Sequence, residues 1–411
     1  MHHIIVKSCL VFLVAGALVF GPTDAVSRGV HAGDANAGAG VVARAVWEPG
    51  WQWTDEKMRT AAPGQILETM FDSLPRPVLP RSTGQIDATA GYTPDVEPRI
   101  PQGFFMDRIE SATSRYSDSD DDAASERMVS PRMGGLPFTS RRLTPRELAA
   151  TQFYRSIGKL FFVDPVTGQR GTCSAAIIER RLILTAAHCV FDRGTQTWRE
   201  NVAFAPAYNG RARNSRPFCT WRVRRMVVTE EWMDSSGTPA NDDFAVLQVR
   251  DRHCNGRRRA IGDYLGAFDV VVHNLLGNSI KKVGYPGNLD NGRQMQVTTS
   301  QVFERTSTIN GQTVITGEIG SAQWKGSSGG PWIQNFGRRA RGQVAIGNNF
   351  QRRQNAIVGV TSYARAAPQG DPNNPIFHNQ WQYSGASILN FRFLQIRATA
   401  CNLLQNNCRN P

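Results

Sequence analysis

From about Tyr154 onward the chain runs in short apolar bursts, each closed by Gly, Asn, Pro or Asp. Bursts of this length suit strands, whose side chains alternate between two faces. The pattern predicts strands at Ile157–Val163, Cys173–Ile178, Leu182–Thr185, Trp221–Val228, Phe244–Val249, Val270–His273 and Lys281–Gly284. Further strands are predicted at Gln294–Phe303, Thr313–Glu318, Pro331–Gln334 and Ile357–Tyr363. Many short strands separated by turn residues imply an all-β sandwich or barrel, and periodicity does not choose between them. Ser387–Ala398 has helical spacing instead, with Ile388, Phe391, Leu394 and Ile396 on one face. No internal repeat is evident.

The first third of the chain has a different texture. Met1 to about Ala25 carries Lys7, an apolar run from Cys9 to Phe20, and small residues near Thr23-Asp24-Ala25. This is the layout of a secretory signal, and its apolar core is short for a membrane span. No other stretch approaches the ~18 apolar residues of a transmembrane helix, so a soluble, secreted product and no membrane partner are expected. Residues 26–142 hold a Gly/Ala-rich stretch from Ala32 to Ala43, then Trp47, Trp51 and Trp53. Prolines at Pro75, Pro77 and Pro80 and an acidic run from Asp118 to Asp122 follow. Such composition builds little core of its own. The segment is expected to be a poorly structured propeptide, or else a disordered arm kept in the mature protein. Arg141-Arg142, just before Leu143, offers a processing site, leaving 143–411 as the main domain.

Charge follows the same division. Residues 26–142 hold 13 Lys+Arg against 16 Asp+Glu, whereas residues 143–411 hold 33 against 17, a net +16. A basic body binds polyanions through counterion release. No aromatics are interleaved with the basic clusters at Arg257-Arg258-Arg259, Arg338-Arg339 and Arg352-Arg353 as a base-stacking platform requires.

The chemistry lies in three places. Gly326-Ser327-Ser328-Gly329-Gly330-Pro331 puts a serine in a glycine-rich turn, and Thr185-Ala186-Ala187-His188-Cys189 closes an apolar strand with a histidine. Between them, Asp243 opens the run Phe244–Val249, with Asp242 as the neighbouring candidate. A serine hydroxyl is a weak nucleophile until a base takes its proton, and a carboxylate fixes that base. At these residues, in the order His, Asp, Ser, the chain resembles the chymotrypsin/trypsin-like serine proteases. The resemblance covers roughly Tyr154 to Ala400. It implies two six-stranded antiparallel β-barrels with a C-terminal helix, His188 and Asp243 coming from the first barrel and Ser328 from the second. It implies polypeptide substrates, with an oxyanion hole formed by the N–H groups of Gly326 and Ser328. Asp243 is preferred to Asp242 because the family's acid directly precedes an apolar-small-apolar-Leu strand. An esterase on the same triad, or a protease-like polyanion-binding protein without catalysis, are the other readings.

Loss of the signal removes Cys9 and leaves six cysteines, an even count that suits bridges in a secreted chain. Cys173 and Cys189 match the family's histidine-loop disulfide. Cys401 and Cys408 are close enough to bridge locally, with Cys219 and Cys254 remaining, although spacing alone leaves these four open. No His/Cys cluster has zinc-ligand spacing, and no metal or cofactor is expected. Oligomeric state is not legible.

Two departures from the digestive enzymes stand out. Ser327 occupies the place of the Asp that pairs with a new N-terminal amine, so activation by that ion pair is excluded. Gly284-Tyr285-Pro286-Gly287 is nearer the secreted glutamyl endopeptidase branch. In the specificity pocket, Ala322 stands where tryptic enzymes carry Asp, and Ser362-Tyr363-Ala364 forms the wall. Thr361 replaces the histidine of glutamyl endopeptidases, so an uncharged or small pocket is expected unless Lys325 or another basic residue substitutes.

Overall fold

The computed structural model describes residues 40–64, 67–68, 88–89, 138–144, 147–148, 152–238, 241–272, 279–309, 312–337, 355–366, 381–404 and 408. The expected signal segment, the acidic run and the clusters at Arg338-Arg339 and Arg352-Arg353 lie outside them.

Six strands make the first barrel: β1 (Ile157–Val163), β2 (Arg170–Ile177), β3 (Leu182–Thr185), β4 (Glu200–Pro206), β5 (Trp221–Thr229) and β6 (Ala245–Val249). All neighbours are antiparallel, and the ring closes in the order β1-β2-β3-β6-β5-β4-β1. The second barrel uses β7 (Ser279–Gly284), β8 (Gln296–Gln301), β9 (Phe303–Ile309), β10 (Gln312–Gly320), β11 (Pro331–Gln334), β12 (Ala356–Ala366) and β13 (Trp381–Ile388). Its path is β9-β10-β13-β12-β11-β7-β8. It is nearly closed, with Gly320 N donating to Ser300 Oγ at 3.2 Å across the seam between β10 and β8.

Strand alternation explains where the core sits. Leu160, Phe162, Ile183, Phe204 and Leu247 fill the interior of the first barrel. Their sequence neighbours Phe161, Leu182, Leu184, Ala203 and Val246 face outward, yet are equally buried. They pack with Val283, Tyr285 and Val297 of the second barrel and with Phe393 and Ile396 of the C-terminal helix, Phe391–Asn402. Strands buried on both faces read as continuous apolar runs, which is what Ile157–Val163 shows. The second barrel has its own interior of Ile280, Val302, Ile319, Trp332 and Val358.

The two-barrel expectation holds with boundary corrections, the second barrel having seven strand segments because Val302 alone separates β8 from β9. The sequence pattern misses Glu200–Pro206, Phe303–Ile309 and Trp381–Ile388. In the first, Asn201 adopts φ +52 and the register to β1 slips between Glu200 and Ala203, which spoils the alternation. In the last, Ser384, Gly385, Ala386 and Ser387 lack strand preference, and pairing to β12 and β10 supplies it. The helix accordingly starts at Phe391, later than the expected Ser387, and the Asn390 side chain caps it by accepting from Arg392 N at 2.9 Å.

Parts of residues 26–142 also form structure: a short helix, Asp55–Thr60, and strands that join the barrels. Gly40–Arg44 adds a strand to β5. Trp53 and Met58 are buried in the inter-barrel core, and Trp53 Nε1 donates to Asn201 O at 2.7 Å. Phe138–Arg142 pairs with β8, and Leu143 behind it is buried.

Candidate active site

Strand register brings together the candidate acid, Asp243, and the candidate base, His188. β3 ends at Thr185, which lies opposite Ala245 of β6, so the residues just beyond Thr185 approach those just before Ala245. His188 sits there in a single 3-10 turn, Ala187–Cys189. The Cys173–Cys189 bridge ties that turn to β2. Asp243 is fully buried and accepts from His188 N at 2.9 Å through Oδ1, while Oδ2 meets His188 Nδ1 at 2.7 Å. Ser362 Oγ donates to the same Oδ2 at 2.5 Å. An ionised carboxylate only accepts, so this contact keeps the imidazole proton on Nδ1 and leaves Nε2 as the basic nitrogen. That Nε2 is buried and has no hydrogen-bond partner among the described residues. Asp242 faces elsewhere: its carboxylate accepts from Thr238 N at 2.8 Å and from Arg392 Nη1 at 2.5 Å.

The serine loop is fastened to the same place. Ser174, next to Cys173, donates from Oγ to Gly326 O at 2.9 Å and from N to Ser328 O at 2.8 Å. Its carbonyl in turn accepts from Thr185 Oγ1 at 2.8 Å. One residue of β2 thus links the loop that carries Ser328 to the strand that leads to His188. Gly329 has φ +75, and a Cβ there would stand 2.1 Å from Thr185 Oγ1 and 2.4 Å from Ser174 O. Only glycine fits where the loop runs this close to the base. Gly326 has φ +90, and a Cβ there would meet Tyr285 O at 2.7 Å. Ser327 is buried, and its Oγ has no partner among the described residues.

Of the expected pocket residues, Ser362 turns its hydroxyl to Asp243, and the others have separate neighbours. Ala322 is half-buried, and its carbonyl accepts from Asn288 Nδ2 at 2.8 Å. Thr361 Oγ1 accepts from Trp332 Nε1 at 3.0 Å and donates to Gly330 O at 3.2 Å. Tyr363 Oη donates to Glu318 at 3.3 Å, and Ala364 lies opposite Ser384. Lys325 stacks on Trp324, its Nζ 4.8 Å from the ring centroid.

Sequence reasoning missed two contributors. Ser174 is the knot between barrels, and no motif marks it. Lys282 is fully buried, with Nζ 2.5 Å from Ser384 Oγ and 3.4 Å from both Ser321 Oγ and Gln323 O. Alternation offered a signal for Lys282, since it shares a strand face with Ile280 in the barrel interior.

All six expected cysteines are paired, as Cys173–Cys189, Cys219–Cys254 and Cys401–Cys408. Cys173, Cys189 and His188 cluster tightly enough to suggest a metal site. The bridge denies that cluster its thiolates. No helix among the described residues is long and apolar enough to cross a membrane.

The trypsin family model matches residues 159–383 of the 411. The chain belongs to the trypsin family. Among curated proteins, a glutamyl endopeptidase from Bacillus licheniformis is 23% identical over 133 residues, or 32% of this chain. The matched segment spans 38% of that relative's length. Among solved structures, a protease from Arthrobacter nicotinovorans named Anisep gives a TM-score of 0.46 at 20% identity, covering 64% of this chain and all of its own. A glutamyl endopeptidase gives 0.42 at 20% identity, covering 64% of this chain and 95% of its own. The family model and the strand topology are what the trypsin-family assignment rests on.

Proposed function

We propose that this protein is a secreted serine endopeptidase that cleaves polypeptides through His188, Asp243 and Ser328. The observation that carries this reading is the buried Asp243 carboxylate, held by three donors and bonded to His188 Nδ1 at 2.7 Å. A buried carboxylate in this position stabilises the imidazolium that forms when Nε2 takes a proton. Ser328 Oγ then attacks the scissile carbonyl, and the N–H groups of Gly326 and Ser328 receive the oxyanion. His188 returns the proton to the leaving amine, and water repeats the sequence on the acyl-enzyme. The test is labelling of Ser328 by a fluorophosphonate together with casein digestion. Ser328→Ala should lose both while secretion continues; hydrolysis by that variant would refute the mechanism.

Residues 26–142 are proposed to be a pro-region whose removal starts activity. Support comes from the path of its middle part. Ala62 and Pro63 pair in parallel with Gly171 and Thr172, and Gly64 N donates to Thr172 O at 2.6 Å. Leu67 and Glu68 then pair in parallel with Tyr363 and Ala364, the pocket wall. Between these, Pro63 packs on Gly287, where a Cβ would meet its Cγ at 2.1 Å, and borders Gly326. Ser328, two residues beyond Gly326, is fully buried. Comparing fluorophosphonate labelling of the full-length and N-terminally sequenced mature forms decides the matter. Equal labelling of both would refute a blocking role, and a mature start near Val26 would refute the pro-region.

A further inference from the structure

A lysine inside a β-barrel is expensive, because desolvation penalises the ammonium and nothing in an apolar interior offsets it. Lys282 is such a residue, and burial pushes its ammonium far below the usual lysine range. No carboxylate among the described residues pairs with it. Glu318, a buried acid of the same barrel, accepts instead from Tyr363 Oη. The partners of Lys282 are hydroxyls and one carbonyl: Ser384 Oγ at 2.5 Å, Ser321 Oγ and Gln323 O each at 3.4 Å. These partners define where the ammonium sits. Ser321 and Gln323 flank Ala322, at the pocket base, and Ser384 lies opposite Ala364 of the pocket wall. The Nζ therefore lies beside the residues, Ala322 and Ala364, at which the family resemblance puts the pocket for the substrate side chain preceding the scissile bond. The two residues at which charge was sought do not reach this point, since Thr361 bonds to Trp332 and Gly330, and Lys325 stacks on Trp324.

We propose that Lys282 is the specificity-determining residue of the pocket and selects peptides with a carboxylate side chain immediately before the scissile bond. This rests on the serine endopeptidase reading. An entering carboxylate supplies the missing counter-charge, accepting from Lys282 Nζ and from Ser384 Oγ in a site shielded from water. A charge-assisted contact there is far stronger than at a surface. An uncharged isostere leaves the ammonium without its counter-ion, so discrimination between Glu and Gln is the sharpest reading of the device.

The experiment uses the secreted, processed protein and peptide substrates identical except for Glu, Gln, Leu or Arg before the scissile bond. Wild type should cleave the Glu substrate with kcat/KM at least tenfold above the Gln substrate. Lys282→Met should lower the Glu-to-Leu ratio at least tenfold, and Ser384→Ala should lower it several-fold. Fluorophosphonate labelling of each variant shows whether its active site is assembled. Best cleavage after Leu, Gln or Arg by the wild type overturns the inference even if Lys282→Met fails to fold. Retained Glu preference in a labelled Lys282→Met protein overturns it equally. In both outcomes the endopeptidase reading survives, whereas absence of labelling and of hydrolysis of every substrate refutes that reading and this inference together.

Discussion

Two adjacent aspartates show how one residue's difference in facing divides their roles. Asp243 turns to His188 and Ser362, and Asp242 turns to Thr238 and Arg392 on the far side. Asp243→Asn should therefore cut kcat by roughly 10⁴, since an amide no longer enforces the Nδ1–H tautomer. Asp242→Asn should chiefly lower the melting temperature, by loosening the C-terminal helix. Steady-state kinetics and thermal melts on the two variants separate these outcomes, and the opposite pattern would exchange the assignments. A second residue carries a pH signature. Lys159 is fully buried, its Nζ donates to Gly292 O at 2.7 Å, and desolvation with the nearby Arg293 pushes it down to about 7. Its folded value lies below its unfolded value, so the folded protein binds fewer protons from about 7 up to the ordinary lysine value of 10.5. Stability gains with pH across that window, and the burial penalty is complete below it. Wild type should melt higher at pH 9 than at pH 6, and Lys159→Met should flatten that difference. Equal pH slopes in the two proteins would assign the dependence to other groups.

At the scale of elements, the histidine turn and the serine loop depend on close approach to β2. Gly329→Ala places a methyl where Thr185 Oγ1 and Ser174 O already stand, at a backbone angle that favours glycine. It should abolish fluorophosphonate labelling, and normal labelling would show that the loop has room to yield. Replacing Cys173 and Cys189 with Ser should destabilise the turn by roughly 3 kcal/mol in the chain-entropy model. A denaturant midpoint unchanged by that double substitution would deny the bridge its role. Most of this was legible in the chain. Ile157–Val163, Leu182–Thr185 and Pro331–Gln334 follow their apolar runs to the residue, and the His, Asp and Ser segments carry their own signatures. What escaped notice depends on partners distant in sequence. Trp381–Ile388 is a strand only because β12 and β10 flank it, and Lys282 acquires meaning only once Ser384 is brought to it from 102 residues away.

Across the whole molecule, the inter-barrel core makes the parts interdependent. It draws on β1, β3 and β6, on β7 and β8, on the C-terminal helix and on Trp53 of the N-terminal segment. The helix is fixed to the first barrel by the Phe244–Phe393 ring contact, by the Arg397–Glu179 ion pair and by Arg392 with Glu231 and Asp242. A chain ending at Leu389 should yield no labelled enzyme, and recovery of labelling from that truncation would show the helix to be dispensable. The attachment of that helix also sets a clock. Glu179, Asp242 and Phe244 leave the ribosome well before Phe393 and Arg397 exist, so the first barrel waits, with one flank unsealed, for the helix to be synthesised. A chain halted before that helix leaves Glu179, Asp242 and Phe244 without the partners that hold them.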